Sequence, residues 1–395
     1  MTELRPYQSS SVDALRRSVA AGHRRPLLQA PTGSGKTVVA ASIMASAVER
    51  GNRVLFLAPR RELVDQCAAK LRAAGVDHGI LMAGRNGDPT GRVQVASAPT
   101  LYARCIRTHR APLPPAGLIV VDEAHLAITP SVRRILEAYP RASVVGLTAT
   151  PARGDGRGLG EVFDDLVLGP SVAELVEQGF LVPQRYFAPS KPDLAGVRIE
   201  RGDYVQDDLE DRMDRPTLVG DVVSNWLRLA QYRQTVVFAT SIKHSIHLRD
   251  RFREVGITAE HLDANTPNEE REAVLQRVAS GETQVVCNCF LLSYGWDCPP
   301  ISCAVLARPT KSVVLYLQMV GRILRPHEGK DDALIIDHAA AVDEIGFVDE
   351  PMPWSLDGRE RVQERRQTER KRSKPLTCEQ CFAIYAGQLA CPHCG

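Results

Sequence analysis

Short apolar runs rich in β-branched residues alternate with stretches of helical periodicity along the first half of the chain. The runs at residues 26–30, 54–58, 93–97, 118–121 and 144–148 predict strands. Residues 37–50 and 61–74 carry apolar positions at helical spacing, and Gly51 and Gly75 follow where a helix is expected to end. Strands that alternate with helices in this way predict an α/β domain with a parallel, doubly wound sheet.

The same alternation returns in the second half of the chain. Predicted strands lie at residues 235–239, 257–262, 284–288, 302–307 and 333–337, with helical stretches between them. A length of 395 residues accommodates two to three domains. We therefore expect two tandem α/β domains of similar plan.

The predicted domain boundaries follow shifts in composition. We place the first domain at residues 1–182, a connecting region at 183–214 and the second domain at 215–346. Residues 347–376 are expected to form a basic linker, and residues 377–395 a small C-terminal domain.

Charge is concentrated in one segment of the chain. The formal net charge is only +2, so any nucleic-acid footprint must be local. Residues 359–374 contain eight lysines or arginines and three glutamates, an excess of five positive charges. This segment is either a solvated linker or an arm that contacts phosphates.

The composition excludes several classes of protein. Hydrophobic residues make up 44% of the chain and charged residues 24%, which is typical of a globular protein rather than a disordered or fibrous one. The apolar runs are too short to span a bilayer, so no membrane contact is expected. Because the N-terminus also lacks a signal-peptide pattern, we expect the protein in the cytoplasm.

A glycine-rich loop between the first strand and the first helical stretch predicts a phosphate site. The pattern ends in Gly-Lys-Thr, a variant of the Walker A sequence, and its backbone N–H groups would bind the phosphate oxygens of a nucleotide. Lys36 is placed to contact the β- and γ-phosphates, and Thr37 to ligate Mg²⁺. The remaining loop residues expected to bind the nucleotide are Thr32, Gly33, Ser34 and Gly35.

Two adjacent carboxylates follow the strand at 118–121. Because ligands bind at the carboxyl edge of parallel sheets, Asp122 and Glu123 are expected beside the phosphate loop. Asp122 would hold Mg²⁺, and Glu123 would act as the general base toward the attacking water.

With these motifs the chain resembles the superfamily-2 helicases and translocases of the DEAH type. Residues 4–8 resemble the adenine-recognition element, in which Gln8 matches the adenine-reading glutamine and Arg5 is a candidate for stacking. Residues 57–63 and 97–101 resemble backbone-contacting motifs, and residues 147–151 resemble the motif that couples hydrolysis to strand movement. The resemblance implies two RecA-like domains.

Motifs of the second domain complete the resemblance. Residues 237–241 resemble a backbone-contacting motif, and Asp297, within 291–299, would touch the ribose. Residues 318–326 match Gln-x-x-Gly-Arg-x-x-Arg, which makes Gln318 a further catalytic candidate. Arg322 and Arg325 are the candidate arginine fingers, and their spacing would place both on one helix face.

The resemblance implies an ATP-dependent motor on nucleic acid. It is strongest with the RadD repair-helicase branch and the restriction-subunit and phage helicases, which favours DNA and a role in repair, recombination or replication. An RNA helicase and an ATP-switched clamp that separates no strands remain as alternatives. The protein is expected to contact mainly the phosphates of the strand, and therefore to bind nucleic acid with low sequence specificity.

Four cysteines near the C-terminus predict a zinc ribbon. Two Cys-x-x-Cys pairs are separated by nine residues, and each pair can chelate one edge of a tetrahedral Zn²⁺ site. The ligands would be Cys378, Cys381, Cys391 and Cys394. Redox-active or free thiols are the alternative, and His393 is interpreted as a bystander. The ribbon would dock nucleic acid or a protein partner, or cap the C-terminus.

Overall fold

The computed structural model describes residues 3–395 except 87–89, 153–157, 201, 231, 294, 358–374 and 389. The basic segment at 359–374 lies outside the described residues. Contacts divide the described chain into two compact units. The first contains residues up to 171 together with 353–357, and the second contains residues 172–352 together with those from 375 onward.

The first unit alternates strands and helices from its start. Its helices are α1 (Pro6–Ala20), α2 (Lys36–Glu49), α3 (Arg61–Ala73), α4 (Ala98–Leu101) and α5 (Pro130–Glu137). Its strands are β1 (Pro26–Gln29), β2 (Val54–Ala58), β3 (His78–Met82), β4 (Arg85–Asn86), β5 (Val93–Ser97), β6 (Leu118–Val121), β7 (Ser143–Thr148) and β8 (Asp165–Leu168). All five strands predicted for this half are present within a residue at either end.

These strands form one sheet in the order β4-β3-β5-β2-β6-β7-β1-β8. All neighbours are parallel except β3 and β4. Successive residues of β2 pack into hydrophobic clusters on opposite faces of the sheet. Phe56 belongs to one cluster, and Leu55 and Leu57 belong to the other. Both faces of the sheet are therefore covered, as the continuous apolar runs predict.

The second unit repeats the plan with more elements. Its helices are α6 (Val172–Glu177), α7 (Gln206–Met213), α8 (Pro216–Leu229), α9 (Ile242–Glu254), α10 (Asn268–Ser280), α11 (Val313–Gly321) and α12 (Ala341–Ile345). Its strands are β9 (Gln184–Phe187), β10 (Ile199–Glu200), β11 (Asp203–Tyr204), β12 (Thr235–Ala239), β13 (Ala259–Leu262), β14 (Val285–Asn288), β15 (Cys303–Ala307), β16 (Ala333–Asp337), β17 (Leu376–Thr377) and β18 (Ala383–Tyr385).

The second large sheet has the order β13-β14-β12-β15-β16-β9-β18-β17. Strands β13 to β9 are parallel neighbours, whereas β18 pairs antiparallel with both β9 and β17. Trp226 and Phe252 cover one face of this sheet. The cysteine-bearing segment is thus the edge of the second sheet and not a separate layer.

Strand β9 changes the expected organisation of residues 183–214. Its register with β16 pairs Tyr186 with Ile335, so part of the expected connecting region is a core strand of the second unit. Helix α6, which the sequence analysis assigned to the first domain, also belongs to the second unit. Four residues flanked by Pro183 and Pro189 are too short a run to predict a strand from periodicity.

Helices long and apolar enough to cross a bilayer are absent from the described residues. The expected cytoplasmic location stays a prediction.

Candidate functional site

The loop between β1 and α2 is shaped by two glycines. Gly33 and Gly35 have φ values of 90° and 82°, in the left-handed region that costs other residues about 1–2 kcal/mol. Gly35 is the N-cap of α2, and Lys36 is the first residue of the helix. The chain therefore turns sharply from a buried strand into a helix N-terminus, where backbone N–H groups are available to an anion.

The start of α1 is bound to this loop. Tyr7 Oη and Gln8 Nε2 donate hydrogen bonds to Ser34 O at 2.9 and 3.0 Å. Gln8 Oε1 accepts from Arg5 N at 3.0 Å, and a Cβ added at Gly35 would run into the Gln8 amide. Gln8 therefore supports the loop, and its amide retains capacity for one further donated and one further accepted hydrogen bond.

Side chains within the loop also have defined positions. Lys36 Nζ donates to Ala30 O and Pro31 O at 3.1 and 3.2 Å, and Ser34 Oγ donates to Pro31 O at 2.8 Å. Thr32 Oγ1 is buried without a hydrogen-bond partner among the described residues. A buried hydroxyl without a partner is unfavourable unless a ligand or water bonds to it, so Thr32 Oγ1 is available to a polar ligand in this loop.

The two carboxylates after β6 are buried together. Asp122 is 6% exposed and Glu123 7% exposed. Asp122 Oδ1 accepts a 2.9 Å hydrogen bond from Glu123 N, and Glu123 has a φ of 46°. Burial first, and then repulsion from Glu123, raise the pKa of Asp122 to about 7, while Lys36 acts to lower it. A buried acid pair beside one ammonium fits a divalent cation.

A chain of polar contacts runs from this acid pair to the end of β7. His125 Nδ1 lies 3.3 Å from Glu123 Oε2 and 3.3 Å from Thr148 Oγ1. Thr148 Oγ1 accepts from Thr150 N at 3.1 Å and donates to Thr150 O at 3.0 Å. His125 was not among the residues predicted from the sequence, and the pattern that could have identified it is the Asp-Glu-Ala-His string directly after β6.

In the second unit, Gln318 and Arg322 are joined. Arg322 Nη2 donates to Gln318 Oε1 at 3.0 Å and to Ser293 O at 3.2 Å. Arg322 Nη1 donates to Trp296 O at 2.6 Å. The Arg322 side chain thus holds the loop that carries Asp297.

The expectation that Arg322 and Arg325 share one helix face is wrong. Helix α11 ends at Gly321, and Arg322 is its C-cap. The chain after Gly321 is no longer helical, so the spacing of three residues no longer sets a common direction. Arg325 instead forms an ion pair with Asp297, the residue predicted to touch the ribose, and burial lowers the pKa of Arg325.

The four C-terminal cysteines converge around β17 and β18. Their Sγ atoms all lie within 4.8 Å of one another, with Cys378 to Cys394 at 3.5 Å and Cys381 to Cys391 at 3.6 Å. A tetrahedral Zn²⁺ with Zn–S bonds of about 2.3 Å places its sulfurs about 3.8 Å apart. The donor set and its spacing fit zinc. His393 packs edge-on against Phe187, with ring centroids 5.0 Å apart.

Two family profiles match this chain. Residues 1–153 match the profile described as "Type III restriction enzyme, res subunit", and residues 219–327 match "Helicase conserved C-terminal domain". The matches cover the phosphate loop and acid pair in the first unit, and Asp297 and the arginines in the second.

Relatives and a solved structure agree with these matches. A "51.5 kDa protein" of Lactococcus phage (isolate 7-9) is 33% identical over 83% of this chain and 68% of its own length. The "putative ATP-dependent helicase IRC3" of Saccharomyces cerevisiae is 30% identical over 88% of this chain, which spans only 53% of that protein. A fragment of a putative HsdR subunit of a type I restriction enzyme from Vibrio vulnificus YJ016 shares the fold, with a TM-score of 0.68 and 24% identity over 87% of this chain and 67% of that one.

Proposed function

This chain belongs to the superfamily-2 helicases, and on that premise we propose that it is an ATP-driven motor that moves along DNA. The observation that carries the proposal is the placement of buried Asp122 and Glu123 at the same sheet edge as the phosphate loop. Lys36 lies close enough to act on the pKa of Asp122. A triphosphate bound by the loop would then have an acid pair beside its terminal phosphate.

Glu123 would be the general base of the reaction. Its carboxylate would orient the attacking water and accept its proton, and His125 would hold that carboxylate from the side of Thr148. Thr148 Oγ1 is bonded in turn to the Thr150 backbone. A movement of the Glu123 side chain would therefore change the contacts of the residues at the end of β7. This chain of contacts supports a coupling between hydrolysis and the grip on the strand.

Mg²⁺ would be held by Thr37 and Asp122 and would supply charge neutralisation at the phosphates. The raised pKa of Asp122 fits such a ligand, since a cation restores the charged form of a buried carboxylate. Arg322 and Arg325 would stabilise the charge on the γ-phosphoryl group, with Gln318 positioning Arg322. Arg325 would first have to exchange its ion pair with Asp297 for the phosphate.

DNA is favoured over RNA by the resemblance to the RadD and restriction-subunit branch, and the same resemblance favours repair, recombination or replication. The test is the steady-state ATPase rate of the purified chain with no nucleic acid, single-stranded DNA, duplex DNA and RNA. We expect DNA to stimulate the rate most. Stimulation by RNA alone would contradict the choice of DNA, and equal rates in all four conditions would contradict a motor and favour an ATP-switched clamp.

We also propose that the cysteine cluster is a structural zinc site. Its chelation would stabilise the edge strands β17 and β18, which are too short to form a core of their own. A protein or nucleic-acid partner at this edge is part of the same proposal. The measurement is zinc per chain in reduced protein purified without added metal, where about one equivalent is expected and none would contradict the site.

A further inference from the structure

A strained turn follows β14 in the second unit. Phe290 has a φ of 61°, and Leu291 N donates a 2.8 Å hydrogen bond to Cys289 O across it. A bond that spans two residues around a positive φ defines the rare and strained form of the γ-turn. Bulky residues keep such a conformation only where their surroundings enforce it, and these positions cluster at functional sites.

Neighbouring residues hold the turn in place. Asn288, at the end of β14, donates to Val237 O at 2.9 Å and accepts from Leu292 N at 3.1 Å. Cys289 Sγ lies 3.7 Å from Thr240 O, which ties the turn to the end of β12. The position of Phe290 is therefore set by the sheet, not by a free loop.

The ring of Phe290 lies over a buried cation. The Arg308 guanidinium carbon is 3.4 Å from the ring centroid. Arg308 is only 6% exposed, whereas Phe290 is 36% exposed. The guanidinium thus covers one face of the ring, while about a third of Phe290 stays exposed to solvent.

Phe290 and Arg308 lie at the carboxyl edge of the sheet, which is where parallel sheets bind ligands. Arg308 follows β15 and Asn288 ends β14, and both strands flank β12. The carboxyl ends of the three strands meet at one edge, so Thr240, Phe290 and Arg308 share it. Residues 237–241, at the same edge, are those that resemble a backbone-contacting motif.

We propose that Phe290, backed by Arg308, is a stacking platform for an unpaired nucleobase of the strand that the motor grips. An aromatic face supported by a cation is the surface on which exposed bases stack, and stacking accepts every base. A paired base within a duplex offers no free face, so the platform selects single-stranded segments. The inference rests on the proposed function, because it requires a strand at this edge.

The test measures how strongly the full chain prefers bases to bare backbone. Fluorescence anisotropy compares a single-stranded DNA oligonucleotide with an abasic strand of equal length, which keeps the phosphates and lacks the bases. The wild type is expected to bind the base-bearing strand more tightly. F290G should reduce that preference about 5- to 150-fold, the range that aromatic stacking on a base supports, while F290Y should retain it.

F290G is a sharp variant because glycine adopts the φ of this turn without strain. Relief of this strain should offset part of the packing lost with the ring, and the thermal midpoint of F290G, measured beside the wild type, checks that loss of the preference reports on the ring and not on unfolding. R308K keeps the positive charge but lacks the planar guanidinium that lies over the Phe290 ring. It should reduce the preference for the base-bearing strand by a smaller factor than F290G.

The outcomes separate this inference from the function on which it rests. A preference for bases in F290G equal to that of the wild type would overturn the platform. Equal binding of both strands by the wild type would overturn it as well and leave the motor intact. Failure of the wild type to bind either strand would overturn the platform, and failure to bind duplex DNA as well would overturn the motor.

Discussion

At the scale of the residue, burial sets the electrostatics of the two carboxylates that follow β6. Glu123 lies 7% exposed in a left-handed backbone conformation, between Asp122 on one side and His125 on the other. Water cannot solvate the two carboxylates there, so their charges depend on the few groups that contact them. The effect of a substitution at Glu123, which is not a proposed Mg²⁺ ligand, should therefore fall on catalysis more than on nucleotide binding.

Glu123→Gln should remove ATP hydrolysis and preserve ATP binding. Glutamine has the shape of glutamate but cannot accept the proton of the attacking water, and loss of a general base costs roughly 10²–10⁴ in rate. The measurements are phosphate release and titration with a fluorescent ATP analogue. Glu49→Gln, on the exposed end of α2, is the control and should behave as the wild type. Turnover by Glu123→Gln within tenfold of the wild type would falsify the assignment.

Cys378 should be the first cysteine of the C-terminal cluster to react in zinc-free, reduced protein. Backbone N–H groups of Cys381 and Gln380 lower the pKa of Cys378 to about 6, whereas the hydrogen bond with Cys378 raises the pKa of Cys394 to about 12. Cys378 is thus a thiolate above about pH 6 and a thiol below it, while Cys394 stays protonated.

Peptide mapping after iodoacetamide treatment checks this prediction. Labelling of Cys378 should rise as the pH passes through about 6 and level off near neutrality, and Cys394 should label slowly throughout. Added zinc should protect both residues. Equal rates at Cys378 and Cys394 would contradict the predicted thiolate.

At the scale of the element, the phosphate site depends on how α1, β1 and α2 meet. Gly35 starts α2 with a left-handed φ, and Gln8 from α1 closes the space where its side chain would be. Sequence predicted the loop and its helix because their pattern is local. It did not predict that Gln8 braces the loop, since that contact joins residues 26 positions apart.

Gly35→Ala should weaken ATP binding at least tenfold, and Gly51→Ala should leave it unchanged. Both glycines have nearly the same φ, 82° and 83°, so both alanines bear a similar backbone strain of about 1–2 kcal/mol. A Cβ at Gly51 meets nothing within 4 Å, whereas one at Gly35 meets the Gln8 amide. Urea unfolding of both variants measures the backbone strain that the two alanines share. Nucleotide titration measures the loss of ATP affinity, which should appear only where the added Cβ meets the Gln8 amide. Equal loss of affinity in both would contradict the role of Gln8.

The segment with Arg322 and Arg325 shows where a local sequence pattern predicts the wrong geometry. Two arginines three residues apart lie on one face only while the helix continues, and α11 stops at Gly321. Pro326 closes the matching motif, and the chain is irregular before it. Arg322 and Arg325 therefore take separate partners, Trp296 O and Asp297, on a loop that is distant in sequence.

At the scale of the whole molecule, one sheet carries the phosphate loop and its acids, and the other carries the arginines and the cysteine cluster. Strand β18 joins the cluster to β9, and β9 pairs with β16 in the core of the second unit. Zinc binding would therefore act on the second unit, which also contains Arg322 and Arg325. Neither unit alone contains all the residues that the sequence predicts for hydrolysis.

Arg322→Ala should lower kcat about 10³-fold or more while changing KM for ATP much less. An arginine finger acts on the transition-state charge, and so its loss appears in the catalytic rate. Because Arg322 also donates hydrogen bonds to Ser293 O and Trp296 O, Arg322→Lys, which keeps a charge, is tested beside it. Arg251→Ala, at an exposed ion pair on α9, is the control. A kcat within tenfold of the wild type would show that hydrolysis does not need the second unit.

The sequence by itself determined the alternation of strands and helices, the phosphate loop, the acid pair and the family, because each depends on residues that are neighbours along the chain. Only the tertiary structure decided that β9 and the C-terminal strands complete the second sheet, that His125 bridges Glu123 and Thr148, and that Phe290 covers Arg308. Those contacts join residues that are far apart in sequence, and short segments carry no periodic signal that would reveal their partners.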